Sequence, residues 1–200
     1  MFYDVEKNEH GLKHDPFKAL VVPRPIGWIS TLDKEGVANL APYSFFNGVA
    51  TDPHIVMFAS GLRKDSQRNA EETGEFVCNF SGWAQREAMN ASSASVAPEV
   101  DEFELAGLEK LPSQLVKPPR VKGAPAHFEC VYLDTIRLKD RHGEKHPLFE
   151  VVLGQVIGIH IDDRFIADGM VDSAAMKPLS RLGYMDYAVV EEVFRMDRPK

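Results

Sequence analysis

The residues best suited to chemistry form a basic corner, Ser60-Gly-Leu-Arg-Lys-Asp-Ser-Gln-Arg-Asn69. The apolar run ending at Ser60 reads as a strand, and Asp65 to Thr73 reads as a helix closed by Gly74. The corner therefore sits at a helix start, where the first N–H groups lack partners and the dipole is positive. Arg63 and Lys64 add charge, while Ser60, Ser66 and Asn69 add hydrogen-bonding groups, a combination that suits a phosphate. A capped surface helix with solvated charges uses the same residue types. A second segment, Pro42-Tyr-Ser-Phe-Phe-Asn-Gly48, brings Ser44, Phe45, Phe46 and Asn47 together. Those residues supply the apolar faces and edge groups that a planar heteroaromatic ring needs, although a core strand with a turn has the same content. A third segment, Arg24 to Thr31, offers Ser30 and Thr31 as hydroxyls at a strand end beside Trp28, which also suits the core of an ordinary strand.

Other chemistries lack an anchor. Gly-x-Gly-x-x-Gly, Walker and Gly-x-Ser-x-Gly patterns are missing from the sequence. Of the seven histidines, His142 and His146 are four apart, but Gly143 and Pro147 argue against one helix presenting both, so no metal site is expected. His127 and His160 alternate with apolar residues and read as core or barrel-rim side chains. Cys78 and Cys130 both lie in strand-like runs, outside any Cys-x-x-Cys pair, and read as reduced core residues. No protein acid, base or nucleophile is singled out as catalytic.

The elements that must position these residues are mostly short strands. Pro25 to Leu32 and Val37 to Ala41 flank an Asp33-to-Gly36 turn as a hairpin. Further strands are expected at 43–49, 54–60, 75–80, 126–138 and 148–161, with short helices at 65–73, 83–90 and 101–106. The run Leu148 to Ile161 is nearly continuous in β-branched and apolar residues, which predicts burial on both faces, with Gly154 and Gly158 marking bulges or close backbone approaches. Ser92 to Gly123 is mostly irregular and is expected to reach over a neighbouring copy. Short strands with tight turns and few helices predict a mainly β, Greek-key barrel with short peripheral helices, in one domain spanning 1–200 with a core of about 22–187.

Bulk properties set the remaining bounds. A net charge of −7 argues against a general nucleic-acid binder, which needs a basic surface. The polar N-terminus has no signal-peptide core, and no run approaches the roughly 20 apolar residues of a membrane span. The chain is therefore expected to be cytoplasmic, with no membrane partner.

Taken together, Arg24-Pro-Ile-Gly-Trp-Ile-Ser-Thr31, Asn39-Leu-Ala-Pro-Tyr-Ser-Phe-Phe-Asn47, Asp52-Pro-His-Ile-Val-Met-Phe58, Lys64-Asp-Ser-Gln-Arg-Asn69 and Glu75-Phe-Val-Cys-Asn79 closely resemble the flavin reductase-like FMN-binding family. The resemblance continues through Gly154 to Ile161 and Leu179 to Tyr184. It implies an FMN-binding split β-barrel that works as a homodimer, with Ser30-Thr31 and Ser44 to Asn47 at the ring and ribityl parts and Lys64 to Asn69 at the phosphate. It implies an oxidoreductase fed by NADH or NADPH, serving an electron acceptor or a monooxygenase partner; a non-enzymatic FMN electron carrier is the alternative. Members that reduce free flavin often carry Gly-Asp-His where this chain has Leu148-Phe149, with His146 displaced. That departure implies FMN that stays bound, with Phe149 limiting water near the pocket or packing in the core.

Overall fold

The computed structural model describes residues 1–199, with the backbone alone at 145–147. The side chain of His146 therefore lies outside the described residues. A seven-stranded sheet, antiparallel at every pairing, dominates the chain. Across it the strands run Ala38–Tyr43, Gly27–Leu32, Glu75–Phe80, Ala126–Lys139, Lys145–Ile161, His54–Gly61 and Phe46–Thr51. The neighbours Gly27–Leu32 and Glu75–Phe80, and Lys145–Ile161 and His54–Gly61, are not consecutive in the chain, as in a Greek key. The sheet curls into a barrel that does not close. Its two edge strands, Ala38–Tyr43 and Phe46–Thr51, are consecutive in the chain and joined only by Ser44 and Phe45. The expected strand at 43–49 is thus split by this link, which marks the seam of the barrel.

Gly27–Leu32 is buried on both faces, and the alternation of an extended chain sends its neighbours to different cores. Ile29 packs inside the barrel with Tyr43, Phe58, Phe76, Cys130 and Val152. Trp28 packs outside it with Leu40, Met89, Phe103 and Val121. The second core is roofed by the helix Arg86–Ala91, preceded by a turn of 3-10 helix at Trp83–Gln85, and by the helix Glu102–Leu105, whose N-cap Asp101 accepts from Phe103 N–H. A small sheet of Arg24–Pro25, Leu179–Arg181 and Tyr187–Val189 closes one end. Cys78 and Cys130 are buried and free, and burial pushes the Cys78 thiol well up.

The 92–123 segment does not stand free: part of it is tied to its own barrel. Glu129, fully buried, accepts from the N–H groups of Gln114 at 2.8 Å, Leu115 at 2.6 Å and Val116 at 3.2 Å, and Pro119 accepts from Ser30 Oγ at 2.6 Å. These strong local acceptors hold a segment whose prolines deny it a regular ladder. The run 148–161 is not buried on both faces either. Val152 is in the core, but Leu148, Ile157 and Ile159 are exposed, as are Ile136 and Leu138 on the adjoining strand, because nothing within one chain covers the far ends of the two longest strands. Gly154 is a close approach as well as a register shift: a Cβ there would sit 2.2 Å from Cζ of Phe76.

Candidate functional site

The open seam leaves a cavity of about 450 Å³, inside the range of about 300–1,000 Å³ typical of small-molecule sites. The link Ser44-Phe45 forms one wall, Lys64, Asp65 and Ser66 another, and Ser92 to Val96 a third. Phe149 stands edge-on to Phe45 with ring centroids 6.0 Å apart, so two aromatic rings face the same space.

The basic wall is a helix start held by the barrel. Lys64 is the N-cap of Asp65–Thr73, and Gly74 ends the helix in the left-handed conformation, φ 78°. The first helical bond runs from Arg68 N–H to the Lys64 carbonyl at 2.9 Å. The N–H groups of Asp65, Ser66 and Gln67 therefore have no intrahelical acceptor, and no described side chain caps them. Lys64 makes no ion pair with another described residue, whereas Arg63 is held by Glu71 at 2.8 Å and Glu72 at 3.4 Å. Asp65 pairs with Arg68 at 2.7 Å, which offsets the one carboxylate on this wall.

Behind the wall lies a buried polar network. Asn39 Nδ2 donates to Ser66 Oγ at 2.8 Å and to Thr31 Oγ1 at 3.3 Å, and Asn69 Nδ2 donates to the same Thr31 oxygen at 3.1 Å. Burial raises the Tyr43 phenol above its ordinary range, with partial relief from the hydroxyls of Ser66 and Ser60, so it stays protonated at the cavity edge. Burial likewise raises the Glu102 carboxyl, whose Oε2 accepts from Leu40 N–H at 2.9 Å.

Among the residues singled out from sequence, Ser44, Phe45, Lys64 and Ser66 line this cavity. Trp28, Ser30, Thr31, Ser60 and Asn69 are buried with internal partners and do not line it. Trp28 Nε1 donates to Ser92 Oγ at 2.9 Å, Ser60 Oγ donates to the Leu62 carbonyl at 2.9 Å, and Ser30 Oγ also accepts from Asn79 Nδ2 at 3.1 Å. Arg63 points to its two glutamates. Asn47 is exposed and accepts from Gly48 N–H at 2.9 Å, and the Phe46 ring faces a different cavity. Sequence reasoning did not pick out Tyr43, Ser92 to Val96 or Glu102. The serine-rich stretch carries no pattern beyond small size, and Glu102 is one acidic residue among many until the fold buries it. Among the described residues no group of three His, Cys, Asp or Glu converges as metal ligands. Among the described residues no helix is long and apolar enough to cross a membrane.

Comparison with known proteins agrees with this architecture. Residues 19–178 match the flavin reductase like domain. The chain is 35% identical over 184 residues to an uncharacterized protein of Halalkalibacterium halodurans, covering 90% of this chain and 87% of that one. It is 38% identical over 170 residues to one of Aquifex aeolicus, covering 82% and 83%. Among solved structures, nitrilotriacetate monooxygenase component B from Bacillus cereus superposes with a TM-score of 0.85 at 33% identity, covering 94% of this chain and 96% of that one. The 2-nitrobenzoate 2-nitroreductase of Pseudomonas fluorescens superposes at 0.86 with 25% identity, covering 100% and 96%.

Proposed function

This chain belongs to the flavin reductase-like family, and from that premise we propose that it holds FMN in the seam cavity and acts as an NAD(P)H-dependent oxidoreductase. The observation that carries the reading is the composition of that one cavity. Two lysines, Lys18 and Lys64, and the helix-start residues Asp65 and Ser66 meet two aromatic rings and several hydroxyls in about 450 Å³. FMN has the matching parts: a phosphate, a polyol and a planar ring. Lys64 and the helix start would bind the phosphate, while Phe45 and Phe149 would border the ring and keep water from it. Asn39, which also lines the cavity, would hold Ser66, with Thr31 and Asn69 behind it. Of the other residues suggested by the resemblance, Trp28, Ser30 and Ser60 support the walls rather than touch the ligand.

With FMN bound, the available chemistry is acceptance of hydride from NADH or NADPH and its passage to an acceptor. Hydride transfer needs no protein acid or base, so the work of the chain is to bind, orient and exclude water. The similarity to a monooxygenase component supports a partner enzyme as the destination of the electrons, and the similarity to a nitroreductase supports direct delivery to a small acceptor. The exposed Ile136, Leu138 and Leu148 near one end of the two longest strands, and Ile157 and Ile159 towards the other, support a homodimer that covers them. Anchoring at the phosphate wall together with two aromatic walls supports FMN that stays bound through turnover, because affinity differences appear mainly as slower release. The test is a visible spectrum of the desalted protein followed by anaerobic addition of NADH and then NADPH. Retained flavin that bleaches supports the reading, retained flavin that does not bleach points to an electron carrier, and a colourless protein activated hyperbolically by added FMN replaces it with a free-flavin reductase.

A further inference from the structure

Two cavities meet at Lys18. Its side chain lines the seam cavity and also a larger space of about 870 Å³ between the N-terminal segment and the turn at 183–186. Tyr3, His14, Phe17 and Tyr184 put aromatic rings on the walls of this second space, and the His14 and Tyr184 rings lie 5.5 Å apart between centroids. Phe17 is 59% exposed and Tyr184 49%. Aromatic area left open to water around one cleft is the composition of a recognition surface. The two walls are fastened to each other and to the seam. Arg24, only 5% exposed, donates to the carbonyls of Lys18 at 2.5 Å, Val21 at 2.6 Å and Leu182 at 2.7 Å, and its Nε donates to Ser44 Oγ at 3.5 Å. Gly183 approaches the short helix Phe17–Leu20 so closely that a Cβ on it would stand 2.6 Å from the Ala19 Cβ. Tyr184 is held in the left-handed region at φ 56°, rare for a bulky residue, with its carbonyl accepting from Arg181. Backbone strain of this kind persists where the surroundings dictate it, often where a ligand is met.

The occupant follows from the neighbouring site. With FMN in the seam, an electron donor must lay its nicotinamide ring against the flavin. A space of about 450 Å³ is of the size that one small molecule fills, so the far half of a dinucleotide has to lie outside it. The adjoining cavity offers what that half requires. The Lys18 ammonium stands at the junction, where the pyrophosphate would cross, and the rings give faces for adenine. Asp15 also lines the cavity; its Oδ1 accepts from Phe17 N–H at 2.8 Å, and the carboxylate can accept from ribose hydroxyls as well. Lys18 is the only Lys or Arg among the described residues lining this space. A 2′-phosphate beside Asp15 would therefore meet a like charge with no cation of its own.

We propose that this cavity binds the adenosine half of the electron donor and selects NADH over NADPH; the proposal rests on the reading of the seam as the flavin site. Ligand-observed NMR titration of the purified protein with AMP reads the cavity without turnover. A dissociation constant on the order of 1 mM is expected. Tyr184→Asn should weaken it roughly tenfold, since asparagine tolerates the left-handed backbone but has no ring to stack on adenine. Anaerobic bleaching of the bound flavin is then followed with NADH, NADPH and reduced nicotinamide mononucleotide, which lacks the adenosine half. The concentration giving half the maximal rate should be at least about tenfold lower for NADH than for the mononucleotide. Tyr184→Asn should raise it about tenfold for NADH and leave it unchanged for the mononucleotide. NADPH should be at least about tenfold less efficient than NADH, and Asp15→Ser, which keeps an acceptor for Phe17 N–H, should close most of that gap. If Tyr184→Asn misfolds, the wild-type AMP titration and the comparison of NADH with the mononucleotide decide. Flavin bleached by NADH and the mononucleotide at equal concentrations, no binding of AMP, or NADPH used as well as NADH would each overturn this proposal alone. Retained flavin that neither donor bleaches would overturn the donor reading of the seam and this proposal with it.

Discussion

Replacing Lys64 by alanine removes one of two lysines, with Lys18, that line the cavity without an ion pair to another described residue, and the one of the two at the helix start. A charge-assisted hydrogen bond contributes about 1.5–3 kcal/mol. Two features of the structure place the effect at the lower end. Lys64 is exposed, so water competes for its ammonium, and the N–H groups of Asp65, Ser66 and Gln67 remain in the variant to receive the phosphate. The expected loss is therefore about 1.5 kcal/mol, or roughly tenfold in FMN affinity. Lys64→Arg should recover most of it. Flavin fluorescence quenching on titration of apoprotein measures this directly, and riboflavin, which lacks the phosphate, should bind weakly and equally to wild type and variant. Arg63→Ala is the internal control: its guanidinium is already committed to Glu71 and Glu72, so FMN affinity should change less than the roughly threefold that corresponds to about 0.6 kcal/mol. Equal FMN affinity in wild type and Lys64→Ala, or a parallel loss for riboflavin, would refute the assignment of this wall to the phosphate.

Other consequences are structural. Gly154→Ala places a methyl 2.2 Å from the Phe76 ring in a filled core, and overpacking of this kind should cost about 2 kcal/mol, lowering the melting temperature by roughly 4–8 °C. Burial alone would raise the Glu129 carboxyl, but hydrogen bonds from Gln114 N–H, His160 and Leu115 N–H outweigh it and hold the group below its ordinary value. The resulting stability is present above the unfolded value, about pH 4.3, and is lost as the pH falls through the lower folded value. Urea melts of Glu129→Gln should accordingly show a deficit of about 2–3 kcal/mol at pH 7 that shrinks towards pH 3; a deficit independent of pH counts against the charged acceptor. On the proposed homodimer, Ile136→Asp puts a charge among exposed apolar side chains of the long strands and should convert the sedimenting dimer into monomer without loss of the circular dichroism spectrum; a wild-type chain that already sediments as monomer refutes the dimer.

Much of the fold was legible because its signals are local. Turn residues at Asp33 to Gly36 and at Pro53 delimit strands whatever the rest of the chain does, and Gly74 marks the helix end; Asp65, whose type suits an N-cap, is instead the first helical residue, with Lys64 at the cap. The seam was not legible. Tyr43 to Val49 has strand composition throughout, and the break at Ser44-Phe45 arises only because the two edges of a curled sheet must be connected there. The wall proposed for the phosphate was legible in outline, since a helix start beside Lys64 is visible in sequence. Which cation is free was not: Arg63 and Lys64 are neighbours of the same charge, and only the positions of Glu71 and Glu72 on the next turns of the helix separate them. Ser30 and Thr31 had the right chemistry for a ligand, but their hydroxyls are committed to Pro119 and to Asn39 and Asn69, partners remote in sequence.

Those commitments explain why a barrel that fails to close can still present a defined site. An open seam is a weak place in a sheet, because two edges face each other with their ladders unfinished. Here the helix Asp65–Thr73 is fastened across the interior side by one threonine oxygen that accepts from both Asn39, on an edge strand, and Asn69, on the helix. Asn39 in turn reaches Ser66 in the first turn of that helix. The same few atoms thus tie the edge strand to the helix and fix the helix start at the cavity. Replacing them with apolar residues of equal volume would keep the packing, but the helix start would then be located by contact alone. Groups that must meet a ligand within a few tenths of an ångström are better located by directed bonds to a rigid strand than by a loop. The buried polar residues of Gly27–Leu32 therefore serve the site by holding its walls.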